Sequence, residues 1–441
     1  MMEAIGSKTA SAPAVDSSAF YDQAVYQREL DAIFKRSWLF VGHESMIPKP
    51  GDFRTTYMAD DAVIVCRDKA SNIRVLLNKC RHRGNKVCQF DKGNANIFHC
   101  SYHGWSYDTA GRLRSAPLSD SVYGSQFDKS SMGLVSPQVA THKGLIFACW
   151  DDSAPPLREY LGEDLLWYLD NFLLGTDPKG LQVVPGLHRY LMPVNWKLLA
   201  ENFGGDQYHF AATHGSVAAL SNAGQTARIN FSIDEGQHYS VVLDGCAPHG
   251  LLQLAIGDNF YQDDLAHAET LGSEAVEWLT ERQRRQNERL GAYPVQPYSF
   301  HVANIFPNFS MIGMGTAFYG RGFIMWQPRG PRLTEVWEWC LVENSAPRTV
   351  KERMVFVLSQ RQSAAGLVTP DDHENFERLS DALDTGVARE VPFNYSLGED
   401  VEPVDSLITE LPGNVRPQIS ETYQREFYRH WQRAMTAPAS S

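Results

Sequence analysis

Residues 80–103 read CRHRGNKVCQFDKGNANIFHCSYH, and this stretch determines the fold expected for the first third of the chain. It contains two short boxes, Cys80-Arg81-His82 and Cys100-Ser101-Tyr102-His103, with seventeen residues between them. A zinc ribbon or zinc finger usually brings its cysteines together in C-x-x-C pairs. Here each box instead supplies one thiolate and one imidazole. Gly84 and Gly104, close behind the boxes, favour two turns that present these side chains from neighbouring loops.

The paired boxes indicate a [2Fe–2S] cluster of the Rieske type, with Cys80 and Cys100 on one iron and His82 and His103 on the other. Neutral imidazoles replace anionic thiolates on one iron, so the cluster is less negative and easier to reduce. The site should therefore accept electrons from a partner and pass them on. A zinc site made of the same four residues is the alternative that the spacing leaves open.

Length, charge and cysteine content limit what the rest of the chain does. The chain has 441 residues, and a cluster domain needs on the order of 100, which leaves about 300 for other work. The net charge of −12 argues against nucleic acid and anionic membrane surfaces as partners. No run of about 18 apolar residues predicts a membrane span. The seven cysteines are few and odd in number, which favours a reducing, cytoplasmic compartment without a disulfide framework.

Turn signals and apolar runs divide the chain into three parts. Residues 1–40 are interpreted as a tail that leads into a helix. Residues 41–155 are interpreted as short strands separated by turn residues, with both boxes among them. Pro155-Pro156 marks a boundary, and residues 156–441 mix helices with strands. In this last part we expect one helix at about 157–174 and another that runs from about Trp196 through the histidines that follow.

A second group of candidate ligands lies in residues 202–214, NFGGDQYHFAATH. His209 and His214 would diverge by about 140° on a regular α-helix, so both rings can face one metal only if the helix bulges or breaks. The Gly-Gly pair at 204–205 lowers helix propensity and makes such a distortion less costly. Asp206 lies three residues before His209, where its carboxylate could accept a hydrogen bond from the far nitrogen of a metal-bound ring. Direct ligation by Asp206 is the alternative.

A third ligand must come from elsewhere, because a non-haem Fe(II) that activates O₂ typically uses two histidines and one carboxylate on one face. The best candidate is the acidic turn Thr369–Glu377. Pro370 favours a helix start there, and the helix dipole favours carboxylates in a first turn. A solvated helix N-terminus, together with two histidines buried in the core, is the plain structural alternative for these segments.

Together the motifs resemble the catalytic α subunit of the Rieske non-haem iron aromatic-ring-hydroxylating dioxygenases. The resemblance covers nearly the whole chain and includes both boxes, the run NWKLLAEN at 195–202, the D-x-Y-H-x₄-H pattern at 206–214 and the D-D-x-E-N turn at 371–375. The four-residue gap between the two histidines is closer to naphthalene-dioxygenase-like members than to biphenyl-type members with five. Family members often carry Glu three residues before the ligand Asp, where this chain has Thr369.

The resemblance implies a role for each candidate ligand, with Asp371 as the fallback for the carboxylate. Asp206 would link one iron ligand to the cluster ligand His103 of a neighbouring subunit. Electrons would then pass between subunits of a head-to-tail ring of three α chains, to which many relatives add a small β subunit as α₃β₃. The implied ligands of the cluster are Cys80, His82, Cys100 and His103. The implied ligands of the mononuclear iron are His209, His214 and Asp372.

The resemblance also implies an α+β fold. An all-β Rieske domain is inserted near the N-terminus of a larger catalytic domain, whose mainly antiparallel sheet is flanked by helices and packs with residues 1–40. The implied reaction is cis-dihydroxylation of an aromatic hydrocarbon with O₂. The chain has no G-x-G-x-x-G after a strand, so a ferredoxin and a separate NAD(P)H-dependent reductase are the expected partners. A Rieske monooxygenase of the salicylate-hydroxylase or demethylase type, acting on an aromatic acid, and a non-enzymatic electron carrier are the alternatives.

Several residues near the expected iron are candidates for the wall of a substrate pocket. Their aromatic side chains suit an arene and their amides add some polarity, although ordinary core packing explains each of them equally well. No compact group of Arg or Lys lies in these segments, so a neutral arene is favoured over an aromatic acid unless folding brings in Arg228 or Arg321. The candidate pocket residues are Asn202, Phe203, Gln207, Phe210, Asn304, Phe306 and Phe309.

Overall fold

The structure is a computed structural model that describes residues 14–124, 126–174, 177–217, 238–243, 245–254, 259–290, 300–313, 316–399 and 411–437. The chain forms two compact units: Phe34–Leu157, and the residues up to Ile33 together with those from Arg158 onward. The first described elements are strand β1 Ala14–Val15, helices α1 Ser18–Tyr21 and α2 Gln23–Glu29, and a π-helical turn at Leu30–Phe34. Arg228 lies outside the described residues.

The unit of residues 34–157 consists of three small antiparallel sheets. Its strands are β2 Leu39–His43, β3 Asp52–Met58, β4 Asp61–Arg67, β5 Ile73–Leu77, β6 Lys92–Asn94, β7 Ile97–His99, β8 Ser106–Asp108, β9 Leu113–Ser115, β10 Gln138–His142 and β11 Leu145–Cys149. The sheet orders are β10-β11-β2, β5-β4-β3-β6 and β7-β8-β9. Short helices lie at Glu44–Met46, at Ser119–Val122 (α3) and at Lys129–Met132.

The other unit is built on a large antiparallel sheet, which has nine strands within the described residues. Its strands are β12 Leu181–Val183, β13 His188–Met192, β14 His238–Leu243, β15 His249–Leu254, β16 Phe300–Ile305, β17 Phe309–Ile312, β18 Arg321–Gly330, β19 Leu333–Glu343 and β21 Asn414–Pro417. The strand order is β12-β19-β18-β17-β16-β15-β14-β21, and β13 also pairs with β19. Strand β20, Phe393–Asn394, pairs with β1.

Helices follow Pro156 and alternate with these strands. They are α4 Leu157–Leu161, α5 Glu163–Leu174, α6 Trp196–Gly205, α7 Phe210–Thr213, α8 Asn259–Leu271, α9 Ser273–Leu290, α10 Arg348–Gln362, α11 Thr369–Ala382 and α12 Thr422–Thr436, with a 3₁₀ turn at Ala388–Glu390. The prediction of a single helix at 157–174 was wrong, because this segment forms the two helices α4 and α5. Gly162 adopts a left-handed conformation with φ of +76° and separates α4 from α5, because glycine takes that conformation without steric cost.

Helix α6 is the element that positions the second group of candidate ligands. It begins where the Asn195 side chain accepts a hydrogen bond from the backbone N–H of Lys197. The Lys197 ammonium is fully buried and pairs with Glu29 at 2.5 Å, and the indole N–H groups of Trp196 and Trp431 also donate to Glu29. Because a buried charge is tolerated only when it is paired and hydrogen-bonded, this cluster ties α2, α6 and α12 together at one place.

The predicted α+β fold is confirmed for both parts of the chain. The cluster boxes lie in a β-rich N-terminal unit, and the remaining residues form a mixed structure of helices and an antiparallel sheet. Among the described residues, no helix is both long and apolar enough to cross a bilayer.

Candidate metal centres

The two Cys-His boxes form two loops with the same backbone hydrogen bonds. In each loop the cysteine N–H donates to the carbonyl five residues later, and the N–H of a glycine four residues later donates back to the cysteine carbonyl, at distances from 2.8 to 3.0 Å. Both glycines have positive φ, +78° and +75°, which residues with a β-carbon rarely adopt. The residues closing the loops are Cys80, Gly84 and Asn85 in the first, and Cys100, Gly104 and Trp105 in the second.

The histidines of the two loops face one another. The ring centroids of His82 and His103 are 4.4 Å apart, and the His82 ring stacks on the indole of Trp105 at 5.2 Å. Nδ1 of His82 is buried and has no hydrogen-bond partner within the described structure. A buried nitrogen without a partner is costly, and binding to a metal would satisfy it. The histidine side of the site therefore fits a cluster iron.

The cysteine side of the site supplies hydrogen-bond donors close to both sulfur atoms. Tyr107 Oη lies 3.4 Å from Cys80 Sγ, and the Asn85 amide lies 3.8 Å from Cys100 Sγ. Burial acts to raise the pKa of the Cys100 thiol, but the backbone N–H groups of Tyr102 and His103 outweigh it and lower that pKa. Because iron is held by the thiolate form, these donors fit a cluster.

A second group of ligand atoms meets in the unit with the large sheet. One nitrogen each of His209 and His214 and one carboxylate oxygen of Asp372 all lie within 4.8 Å of one another. Asp372 Oδ1 is 3.4 Å from His209 Nε2 and 3.1 Å from His214 Nε2. Two imidazoles and one carboxylate on one side of a metal are the donor set of non-haem Fe(II) sites that keep positions open for O₂.

The chain brings these atoms together by ending one helix early. Helix α6 stops at Gly205, a turn follows, and the short helix α7 then places His209 at its N-cap and His214 at its C-cap. The prediction that the helix must break is confirmed, and the expectation of one helix running through both histidines is wrong. Two imidazoles at a spacing of five can face one metal only after such a change of direction.

Asp372 reaches the histidines from the first turn of α11, which begins at Thr369 with Pro370 in its first turn, as expected. A hydrogen bond of 3.1 Å from the Asn375 amide to the Thr213 hydroxyl fixes α11 against α7. Asp371, the fallback ligand, instead approaches the other side of His214, with its Oδ2 3.6 Å from Nδ1. Asp372 therefore faces the Nε2 atoms of both histidines, whereas Asp371 faces only the Nδ1 atom of His214.

His209 is held on its far side by Asp206 and Asn202. Asp206 Oδ2 lies 3.3 Å from His209 Nδ1, and the Asn202 amide nitrogen lies 3.5 Å from the same atom. Burial acts to lower the pKa of His209, but Asp206 and Asp372 outweigh it and raise that pKa to about 10. Such partners fix the tautomer and the orientation of a ligating histidine.

The Asp372 carboxyl is ionised over the whole physiological range. Burial acts to raise its pKa, but His209 and His214 outweigh burial and lower the pKa to about 2. The three side chains thus combine a carboxylate with imidazoles that it holds close. A divalent cation bound here would require both rings in their neutral forms, since metal ligands bind in their deprotonated forms.

Apart from Asn202, which lies beside His209, the candidate pocket residues form two groups of three. Phe210 lies edge-on to the rings of His209 and His214, and Phe203 lies edge-on to Trp326 at 5.2 Å. Gln207 lies in the turn between α6 and α7, where its carbonyl accepts from the N–H of Phe210.

The other three pocket candidates have the contacts of core residues. Phe306 is fully buried against Trp196, Phe427 and His430, and Phe309 packs edge-on to Phe323. The Asn304 amide donates to the Phe309 carbonyl and the Ser310 hydroxyl and accepts from the Tyr423 hydroxyl. These contacts use the hydrogen-bonding groups of the Asn304 side chain within the protein.

Sequence reasoning missed a cavity of ≈ 170 Å³ between α10 and the sheet. Apolar side chains such as Ile324 and Leu358 line it together with the polar side chains of Glu338, His188 and Gln362. Glu338 is one of three glutamates in β19, so the sequence does not single it out, and which face of the strand it occupies follows only from the sheet register.

Two family models match the chain. One described as "Rieske [2Fe-2S] domain" matches residues 37–131, and one described as "Ring hydroxylating alpha subunit (catalytic domain)" matches residues 170–437. The two centres described above lie one in each of these ranges. A Rieske cluster combined with a mononuclear non-haem iron defines the class of Rieske oxygenases.

Individual relatives narrow this class. The chain is 38% identical over 434 residues to "Biphenyl 2,3-dioxygenase subunit alpha" of Rhodococcus jostii (strain RHA1), which covers 96% of this chain and 89% of that one. It is 37% identical over 435 residues to "Chlorobenzene dioxygenase subunit alpha" of Cupriavidus sp. (strain PS12), with 96% and 91% covered. Among solved structures, naphthalene 1,2-dioxygenase from Rhodococcus sp. bound to indole matches with a TM-score of 0.83 and 32% identity, over 97% of this chain and 95% of that one.

The chain therefore belongs to the family of ring-hydroxylating dioxygenase α subunits. It is an oxidoreductase that carries a Rieske [2Fe–2S] domain and a catalytic domain for mononuclear iron. The relatives named above act on biphenyl, chlorobenzene and naphthalene according to their names, so membership of the family does not by itself select one arene.

Proposed function

We propose that the chain is the terminal oxygenase of a multicomponent dioxygenase that adds both atoms of O₂ to adjacent carbons of an aromatic ring. The observation that carries the proposal is the convergence of His209, His214 and Asp372 within 4.8 Å in a chain that also presents the two Cys-His loops. A non-haem iron supplies O₂ activation when it is bound by such a donor set. An arene that yields a cis-dihydrodiol is the corresponding substrate class.

The roles of the chain's own residues follow from their positions. Cys80, Cys100, His82 and His103 would hold the cluster, and the triad would hold the mononuclear iron, with Asp372 rather than Asp371 as the carboxylate ligand. Asp206 would orient His209 through its far ring nitrogen. Phe203 and Phe210 would present ring edges and faces that keep water away from the arene. We assign residues 41–155 to the cluster domain, and residues 156–441 with the N-terminal 1–40 to the catalytic domain.

We further propose that the electron path runs between subunits. Asp206 would connect His209 to His103 of the partner subunit, which requires a head-to-tail ring of three α chains, with a small β subunit completing an α₃β₃ assembly. A ferredoxin and an NAD(P)H-dependent reductase would supply the electrons in the cytoplasm. The seven cysteines, none of which is in a disulfide, support a reducing compartment.

Product analysis under ¹⁸O₂ tests the proposal. The reduced protein is given a panel of neutral and carboxylated arenes, and the products are examined by mass spectrometry. Two labelled oxygens in a cis-diol are expected. A product with one labelled oxygen would indicate a monooxygenase instead of a dioxygenase. A reducible cluster without any oxygenated product would indicate an electron carrier.

A further inference from the structure

The cavity beside α10 lies on the same face of the sheet as helix α6, which leads into the candidate ligands His209 and His214. Ile324 and Trp326 are two residues apart on β18, so their side chains share one face. Trp326 contacts Phe203 of α6 on that face, and Ile324 lines the cavity. The cavity is therefore lined by a residue only two positions along β18 from the contact with α6, on the same face of the sheet.

The volume of the cavity suits one aromatic ring. An apolar protein cavity of about 150 Å³ is large enough to bind benzene, and this one measures ≈ 170 Å³. Ile312, Ile324, Val355 and Leu358 give it apolar walls, which favour the face of an arene. A single ring with a small substituent fills this space.

Glu338 gives the cavity an acidic end. The sheet register places it directly opposite Ile324 on one side and His188 on the other, so all three share the face that lines the cavity. Its Oε1 accepts a hydrogen bond of 2.8 Å from the Tyr190 hydroxyl, and His188 Nδ1 lies 3.8 Å from Oε2. Among the described residues that line the cavity, none is Arg or Lys.

Tyr190 connects this acidic end to the iron side. Its hydroxyl is bonded to Glu338, and its ring packs at 5.0 Å against His373, the residue directly after Asp372. The Tyr190 hydroxyl donates to one oxygen of the Glu338 carboxylate. The other oxygen has lone pairs that can accept a hydrogen bond from a further donor. A ligand in the cavity therefore meets an apolar wall on its ring and a hydrogen-bond acceptor at one end.

We propose that Glu338 selects the substrate: the cavity takes a single-ring arene bearing a hydrogen-bond donor, a hydroxyl or an amino group, that points to this carboxylate. The inference rests on the proposed function, because it names the substrate class of the same site. A hydrogen bond to a charged group is stronger than one to a neutral group, so a donor that reaches Glu338 should raise the affinity about tenfold. An arene carboxylate would instead meet the like charge of Glu338, with only His188, already facing that carboxyl, to offset it among the described residues that line the cavity.

Binding measurements on the full-length protein with both metal sites loaded test this under anaerobic conditions, where turnover does not occur. Dissociation constants are measured for four ligands of similar size: toluene, phenol, aniline and benzoate. The preference for phenol and aniline over toluene should fall about tenfold in Glu338→Gln, which removes the charge but keeps an acceptor for Tyr190. The preference for toluene over benzoate should fall by a similar factor in the same variant.

Glu352→Gln is the matched control, because Glu352 lies on the exposed side of α10 and pairs only with Arg348 in the described structure; it should leave every ratio unchanged. Leu358→Phe narrows the cavity while residue 338 remains glutamate, and it should weaken the binding of all four ligands. If the ratios of dissociation constants between ligands in Glu338→Gln stay within about twofold of those of the wild type, Glu338 does not select the substrate. Unchanged binding of the four ligands in Leu358→Phe would show that they do not bind in this cavity. If the binding preference holds and no ¹⁸O enters a product, the proposed function fails while the selectivity of the cavity stands.

Discussion

Asp206 contacts His209 at two points: its Oδ1 accepts a hydrogen bond of 3.3 Å from the His209 backbone N–H, and its Oδ2 lies 3.3 Å from Nδ1 of the ring. One carboxylate thus fixes both the backbone and the imidazole of a candidate iron ligand. The opposite ring nitrogen, Nε2, faces Asp372. The ring orientation that the iron needs is therefore set by a residue that does not itself belong to the triad.

Replacing Asp206 tests this positioning role. Asp206→Ala should retain the cluster and the mononuclear iron but lower turnover by about 10- to 100-fold, the usual effect of removing a partner of a metal ligand. Metal content and O₂ uptake coupled to product formation are the two readouts. Asp381→Ala is the control, since Asp381 is an exposed aspartate on α11. Unchanged O₂ uptake coupled to product formation in Asp206→Ala would show that turnover does not depend on the positioning of His209 by Asp206.

Gly204 has a packing role that the sequence did not reveal. A β-carbon there would overlap the ring of Tyr423, which lies between Gly204 of α6 and Gly250 of β15. Gly204→Ala should therefore lower the free energy of unfolding by about 1–3 kcal/mol, the usual cost of overpacking, as measured by urea denaturation. Gly386→Ala is the control, because a β-carbon at Gly386 meets open space. Equal stability of the two variants would contradict this packing.

Glu201 should make stability depend on pH. Burial raises the pKa of this carboxyl to about 8 from its ordinary 4.5, although Tyr428 and Tyr395 act to lower it. Because the folded pKa is the higher one, the stability contributed by the neutral carboxyl is fully present below about pH 4.5 and is lost as pH rises to about 8. The folded protein binds more protons than the unfolded chain throughout that window.

Glu201→Gln isolates this contribution, since glutamine stays neutral at every pH. Urea midpoints of the wild type should fall between pH 5 and pH 8.5 by more than those of the variant. Glu374→Gln on the exposed face of α11 controls for the loss of one charge. The same pH slope in the wild type and in Glu201→Gln would show that the carboxyl is ionised in the folded protein.

Tyr107 should tune the cluster. The backbone N–H of Arg81 donates to the Tyr107 oxygen at 3.1 Å, so the phenol proton is left to point at Cys80 Sγ. Hydrogen bonds to cluster sulfur raise the reduction potential. Tyr107→Phe should lower it by about 40 mV, the equivalent of one hydrogen bond of about 1 kcal/mol in a one-electron couple. A redox titration followed by EPR measures the shift, with Tyr57→Phe as control, and an unchanged potential would refute the hydrogen bond.

The sequence predicted those features that depend on local spacing. The two boxes indicated their loops because glycines follow at fixed offsets, and the five-residue step from His209 to His214 predicted a break in the helix. The start of α11 followed from Pro370. Each of these signals lies within a few residues of the structure that it predicts.

Features that depend on distant parts of the chain could not be predicted in this way. The contact between Gly204 and Tyr423 spans more than two hundred residues, so the glycine was interpreted only as a helix breaker. Asn304 and Phe306 were expected at the pocket, but Tyr423 and α12 take up their contacts. Glu338 was not singled out, because its place opposite Ile324 depends on the register of β18 and β19.

The measurement that tests the central claim most directly is the iron content of two neighbouring variants, Asp372→Asn and Asp371→Asn. The wild type should hold about three irons per chain, two in the cluster and one in the triad. Asp372→Asn should hold about two and retain the Rieske EPR signal, whereas Asp371→Asn should keep all three, because its carboxylate only approaches the far side of His214. Full iron in Asp372→Asn, or loss of the third iron in Asp371→Asn alone, would contradict the triad.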